Sequence, residues 1–278
     1  MTEAIQKIQS KCGFICDMDG VIYHGPKLLP GAKEFVDWLQ REKKQFLFLT
    51  NSSERTPRDL RQKLLRMGID VEEKHFMTSA LATASFLASQ CPNGRAYVIG
   101  ETGLNQALYD VGFSMDDTNP DYVVVGETRA YNYEKIEIAI RLVLKGAKLI
   151  GTNTDLTGPT ERGIAPACRA LIAPIELSTG CLAYFIGKPN PLIMRDALKR
   201  LGCKREDTVI IGDRMDTDII AGIESEIETV LVMSGITREE DFRKFPYRPN
   251  HVFSGVGEIC GGQENQSNVE HSTLNAQR

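Results

Sequence analysis

Little in this chain would carry it to a membrane, a nucleic acid or an oxidising compartment. No uninterrupted apolar run among its 278 residues approaches the about 20 residues that a bilayer-spanning helix requires. Met1 to Lys11 mixes polar and charged residues and lacks the apolar core of a signal peptide. The net charge is only -4, which provides neither a basic field for nucleic acid nor a polybasic membrane anchor. Seven cysteines, an odd number with no CxxC pair, argue against a disulfide framework and a zinc site. They read as reduced thiols, and the chain as cytoplasmic. His24, His75, His251 and His271 form no cluster in the sequence, and no internal repeat is present. The length suffices for a full core, in one large or two modest domains. An anionic ligand would have to be held by local positive groups, since the overall charge does not attract it.

What the chain does have is a regular alternation of strand-like and helix-like segments, which predicts right-handed crossovers and a parallel sheet, hence an α/β fold. Several apolar runs end in chemically competent residues. Gly13-Phe14-Ile15-Cys16 ends in Asp17-Met18-Asp19-Gly20, and Gln45 to Leu49 ends in Thr50-Asn51-Ser52. Ala183 to Gly187 ends in Lys188, and Thr208 to Gly212 ends in Asp213, with Asp216 and Asp218 close behind. The carboxyl ends of parallel strands are where such sheets bind ligands. A lone Asp-x-Asp-Gly is compatible with a turn or a loose calcium-like loop. Two acids two residues apart at a buried strand end resist ionising together unless a cation joins them. With the later segments, the pattern fits a nucleophilic carboxylate, a second acid that handles protons, and a divalent metal. Cys16 lies beside Asp17, but its apolar run makes it a small core residue.

Helices are expected over Ala32 to Lys44 and Pro57 to Met67, the second stopped by Gly68. Further strands are expected at Ala96 to Gly100, Tyr122 to Gly126, Leu149 to Thr152 and Glu228 to Met233, with helices over Leu104 to Val111 and Glu134 to Leu144. Asn190 and Pro191 read as the cap and first residue of another helix. The interval from Asn51 to Lys188 exceeds a single βαβ crossover of about 30 residues several-fold. A separate α/β domain inserted there is the natural solution. The expected layout is a discontinuous core over 1–78 and 185–260, an inserted cap over 79–184, and a polar disordered tail over 261–278.

The ordered set of Asp17-Met18-Asp19-Gly20, Thr50-Asn51-Ser52, Gly187-Lys188-Pro189-Asn190-Pro191 and Gly212-Asp213-Arg214-Met215-Asp216-Thr217-Asp218 resembles the haloacid dehalogenase (HAD) superfamily phosphatases of the NagD and p-nitrophenyl phosphatase type. Thr152-Asn153-Thr154-Asp155 and Pro159-Thr160-Glu161-Arg162-Gly163 join the resemblance, which spans roughly residues 13 to 257. It implies a Rossmann-like parallel-sheet core with a type-two α/β cap, and Mg²⁺ held by the Asp17 carboxylate, the Asp19 backbone carbonyl and the Asp213 carboxylate. All-oxygen ligands suit that ion.

On this reading Asp17 attacks phosphorus to give an aspartyl-phosphate, and Asp19 is the general acid and base. Dehalogenases of the superfamily need no acid at the Asp19 position, so Asp19 favours phosphate-ester hydrolysis. Thr50, Asn51 and Ser52 hold the phosphoryl group. Lys188 supplies positive charge against phosphate and Asp17. Gly20 supports the turn, and Asp218 orients Lys188 or a metal-bound water. Asp216 reads as a structural helix-start residue, and Ser53 as a helix cap. Glu161 and Arg162 suit either a leaving-group contact or a surface ion pair. Gly158 stands roughly where some pyridoxal-phosphate phosphatases carry histidine, which weakens that substrate reading.

The expected partner is a small-molecule phosphate ester: a sugar phosphate, a nucleoside monophosphate or a phosphoglycolate-type compound. Pairing through the cap is common in the family, so a homodimer is an expectation from resemblance. The alternatives are a catalytically weak binder or sensor of phosphorylated metabolites, and a phosphotransferase.

Overall fold

The structure is a computed structural model that describes residues 3–160 and 163–261. Two parallel sheets organise it. The larger has six strands, in the spatial order His251–Phe253, Glu228–Val232, Thr208–Gly212, Gly13–Cys16, Gln45–Thr50, Phe76–Thr78. Gly13–Cys16 lies in the middle, flanked by Thr208–Gly212 and Gln45–Thr50, both parallel to it. The chain order reverses across this strand, which makes its carboxyl end a topological switch point. Register does the rest: Cys16 stands opposite Ile211 on one side and Phe48 on the other. Asp17 therefore stands level with Gly212 and Leu49, one residue short of Asp213 and Thr50.

Strand parity sorts this core into two faces. Phe14 and Cys16 face one side, where Phe14 meets Trp38 edge-on at 5.5 Å and Phe35 stacks on Trp38 at 6.0 Å. Ile15 faces the other side with Leu47, Leu49 and Ile210, against the helices Ser79–Gln90 and Pro191–Leu201. Truncating a side chain as enclosed as Phe14 to alanine would cost about 3–5 kcal/mol. The helix over Ala32–Arg41 ends earlier than the sequence suggests, because Lys43 takes φ +54° and turns the chain. Pro57–Arg66 and Pro191–Leu201 begin at proline, as expected.

The second sheet has five strands, ordered Tyr184–Phe185, Lys148–Gly151, Tyr122–Val125, Arg95–Ile99, Ser114–Met115, and all its pairings are parallel. It forms the cap. One expectation is corrected here. The sequence places the chain in the core from residue 185 onward, but Tyr184 and Phe185 pair with Ile150 and Gly151 as the edge strand of the cap sheet. The chain leaves the cap only at Ile186 and Gly187, whose amides still donate to Gly151 and Thr152. Local sequence cannot distinguish these outcomes, since an apolar run says nothing about which sheet receives it. A cap hairpin, Thr157–Thr160 with Gly163–Pro166, carries Gly158. Glu161 and Arg162 lie outside the described residues, as does the tail from residue 262. Among the described residues no helix is long and apolar enough to cross a membrane.

Candidate active site

The carboxyl end of the central strand carries the charges. Lys188 is 2 % exposed, and its Nζ donates to Asp17 Oδ1 at 2.7 Å, Asp218 Oδ1 at 2.6 Å and the Leu49 carbonyl at 3.1 Å. A buried ammonium is tolerable only when so partnered. Both anions outweigh the desolvation that would lower its pKa and hold it protonated. Its backbone is gripped as well. Asn51 Oδ1 accepts from the Lys188 amide at 2.8 Å, and Asn51 Nδ2 donates to the Lys188 carbonyl at 3.0 Å. Asn51 thus acts through the main chain of Lys188, a role the sequence reading did not assign. The Lys188–Pro189 peptide is cis.

Asp213 is 1 % exposed. Its Oδ2 accepts from the Ile236 amide at 2.7 Å, while its Oδ1 is buried without a hydrogen-bond partner. Glycines make its seat. Gly20 has φ +83°, and a Cβ there would stand 2.5 Å from Asp213 Oδ2; a Cβ on Gly235 would stand 2.0 Å from the same oxygen. One oxygen from each of Asp17, Asp213 and Asp218 lies within 4.8 Å of the others. Burial pushes the Asp17 carboxyl up to about 7, against Lys188 and with Asp218 adding to the rise. Burial, then Asp17 and Asp218, push Asp213 up to about 8.

Clustered acids with an orphaned buried oxygen are short of positive charge, and the hard-oxygen donors fit a divalent cation such as Mg²⁺. Asp218 is the least available of the three. Its Oδ1 serves Lys188, and its Oδ2 accepts from the Arg214 amide at 3.1 Å. Asp17 and Asp213 are the more available carboxylates, with one oxygen each engaged by Lys188 and the Ile236 amide.

Asp19 stands apart, with 45 % of its side chain exposed. Burial raises its pKa against the opposing charges of Lys63 and His24. His24 Nδ1 lies 3.5 Å from Asp19 Oδ1, so this histidine, unassigned by the sequence, belongs at the site. It sits on the hairpin Tyr23–His24 with Lys27–Leu28, which the Asp19–Tyr23 bridge folds back. Lys63 reaches over the Tyr23 ring at 3.3 Å from its centroid. Two other histidines have partners away from the site: His75 stacks on Phe46 and His251 pairs with Glu228; His271 lies outside the described residues. Cys16 is buried, and its thiol is raised well above the usual value, mainly by burial.

The Thr50 hydroxyl accepts from the Ser52 amide at 3.1 Å, which leaves its hydrogen free to donate. Ser53 departs from expectation. Thr56 caps the helix, in a reciprocal box with Asp59. Ser53 instead hydrogen-bonds through its amide and hydroxyl to Glu127 of the cap, which also accepts from Asn153 Nδ2. Burial raises the Glu127 carboxyl.

A second link joins Asp155 of the cap to the core. Asn51 Nδ2 donates to its Oδ2 at 3.0 Å, and Arg214 Nη1 lies 3.0 Å from its Oδ1 as an ion pair off the hydrogen-bond direction. Arg214 also clasps Asp216 bidentately, at 3.0 and 2.8 Å. Asp216 therefore sits at the surface as an arginine partner. Glu127 has no signal in the sequence beyond its polarity, and Arg214 none beyond its place in the Gly212 to Asp218 motif.

Comparison with known proteins identifies the family. Residues 14–114 match the haloacid dehalogenase-like hydrolase family model, and residues 185–259 match a second HAD-hydrolase-like model. A dihydroxyacetone phosphatase from Corynebacterium glutamicum is 47% identical over 89% of this chain and 90% of its own length. The NagD structure from Escherichia coli K-12 is 42% identical and superposes with a TM-score of 0.85, covering 90% of this chain and 98% of that one. A 4-nitrophenylphosphatase from Thermotoga maritima superposes with a TM-score of 0.88 at 34% identity, covering 92% and 99%. The chain belongs to the haloacid dehalogenase-like hydrolases, as a phosphatase of the NagD and p-nitrophenyl phosphatase type.

Proposed function

We propose that this phosphatase hydrolyses a small phosphorylated metabolite through a phosphoryl group carried on Asp17. The observation that carries the reading is the buried Lys188 ammonium held between Asp17 and Asp218 at the switch point of the core sheet. An Asp17 oxygen attacks phosphorus in line, forming a P–O bond as the ester P–O bond breaks. The leaving alkoxide takes a proton from Asp19, whose raised pKa suits a proton donor. Asp19, then ionised, takes a proton from the water that attacks phosphorus, and the P–O bond to Asp17 breaks.

Lys188 and the Thr50 hydroxyl balance the phosphoryl oxygens, with the Asn51 and Ser52 amides beside them. Mg²⁺ held by the Asp17 and Asp213 carboxylates and the Asp19 carbonyl would neutralise repulsion between carboxylate and phosphate. Asp218 keeps Lys188 in place. His24 and Lys63 frame the side from which the leaving group departs.

The relatives named dihydroxyacetone phosphatase, ribonucleotide monophosphatase and acid sugar phosphatase point to small metabolites, and Glu127 and Asp155 of the cap bond to the core loops beside the site. The substrate class follows as sugar phosphates, nucleoside monophosphates and short-chain phosphoglycolate-like esters.

Phosphate release from a panel of these esters, with Mg²⁺ and with chelator, for the parent and Asp17→Asn, tests the proposal. Release that requires Mg²⁺ and falls by about 10³-fold or more in Asp17→Asn is the expected result. Undiminished release by folded Asp17→Asn would rule out the covalent route. Failure of the folded parent on every ester would return the binder reading.

A further inference from the structure

Two of the seven cysteines, which the sequence presents as reduced thiols, are brought together by the fold away from the active site. Cys12 Sγ and Cys203 Sγ are 2.7 Å apart, although 191 positions separate them in sequence. Cys12 is exposed and Cys203 partly buried. Cys12 immediately precedes the central strand, and its amide donates to the Asp207 carbonyl at 2.9 Å. Cys203 follows Gly202, which ends the helix Pro191–Leu201 with φ +66°. Gly13 leaves room for Cys203 beside the strand: a Cβ there would stand 3.0 Å from Cys203 Cβ and 3.2 Å from its Sγ.

The separation narrows the chemistry. Two thiolates on one tetrahedral zinc would stand about 3.8 Å apart, given Zn–S bonds of about 2.3 Å. The observed gap is shorter, and among the described residues the only cluster of three metal-ligating side chains is the Asp17 group. The sulfurs are instead roughly 0.7 Å from the length of a disulfide. We propose that Cys12 and Cys203 are a peroxide-responsive dithiol that closes to an intramolecular disulfide.

The step balances with one peroxide. The exposed Cys12 thiolate attacks a peroxide oxygen, the O–O bond breaks, and the departing hydroxide takes a proton to become water. The Cys12 sulfenic acid that remains is attacked at sulfur by Cys203, which loses its proton as the S–S bond forms, and the hydroxyl leaves as a second water. Two thiols are oxidised and one peroxide is reduced. Burial and the neighbouring Cys12 raise the Cys203 thiol to about 12, so the exposed Cys12 attacks first and Cys203 resolves.

The bridge would tie the amino end of the central strand to the carboxyl end of the helix that Asn190 starts, while Asp17 and Lys188 lie at the opposite ends of these elements. Its effect falls on stability, because the closed loop restricts the unfolded chain.

The test is non-reducing peptide mapping and thiol titration of the full chain after brief exposure to dilute hydrogen peroxide. The expected products are a peptide linking Cys12 to Cys203, two fewer titratable thiols than the seven of the reduced chain, reversal by dithiothreitol, and a Tm raised by about 5 °C or more. Cys203→Ser should stop at Cys12 sulfenic acid with no Tm rise, and Cys12→Ser should form no bridge; the two variants guard against misfolding of either one. Seven remaining thiols under conditions that oxidise Cys12 in Cys203→Ser, or a bridge between other cysteines, would overturn the proposal.

Discussion

The two parallel sheets point their carboxyl ends at each other and furnish them differently. The core end gathers Asp17, Asp213 and Asp218 around Lys188, which the chain supplies as it leaves the cap sheet, and the group is tightly packed. The cap sheet delivers Glu127, Asn153 and Asp155, which bind the core's own loops through Ser53, Asn51 and Arg214. One end carries reactive charge, and the other holds that end in register. The difference teaches that the chemistry can be retained while the cap varies, since no cap side chain belongs to the charged cluster around Asp17.

Removing the ammonium should break this comparison most severely. Lys188→Met leaves Asp17 and Asp218 facing each other unpaired. Turnover should fall by about 10²–10³-fold, and stability by about 3–5 kcal/mol at neutral pH, since half of a buried ion cluster remains. Denaturant melts and steady-state rates check both effects; a neutral outcome in both would mean that Lys188 is only a packing group.

The acids of the core end make a second expectation, tied to pH. Asp17 and Asp213 hold protons more tightly folded, at about 7 and about 8, than unfolded, at about 3.9. Their contribution to the stability of the metal-free protein is therefore complete below pH about 4 and is lost as pH rises through those folded values. Added Mg²⁺ should flatten the loss by binding the ionised carboxylates. Melting temperatures across pH in chelator and in Mg²⁺ measure this, and a chelated profile that rises over the same interval would contradict it.

Changes at the cap end should be milder. Glu127→Ala and Asp155→Ala each free a core loop without touching the charged cluster. Each should raise KM by about three- to tenfold and leave kcat closer to the parent. A larger loss in kcat than in KM would bring these residues into the reaction itself. Smallest of all is Asp216→Ala. Its partner Arg214 keeps Asp155, and Asp216 is 53% exposed, so stability and turnover should change by no more than about 1 kcal/mol and about twofold.

Residues whose signal is local were legible in the sequence. Asp17, Asp213 and Thr50 end apolar runs, and strand registry brings them within one residue of the same level. The Asn190–Pro191 helix start needs only its own neighbours. The failures share one property. Whether Phe185 joins the cap or the core, whether Ser53 caps a helix or binds Glu127, and whether His24 meets Asp19 all depend on a partner chosen in three dimensions.

By itself, the sequence determined an α/β chain with a large insertion and a set of strand-end acids, because hydrophobic period and glycine turns act over a few residues. Only the tertiary structure decided that Lys188 is buried between two carboxylates, that Asp213 keeps an unpartnered oxygen, and that Cys12 meets Cys203. Those facts depend on sheet order and on the packing of distant segments, and no local pattern encodes which distant groups will share a desolvated space.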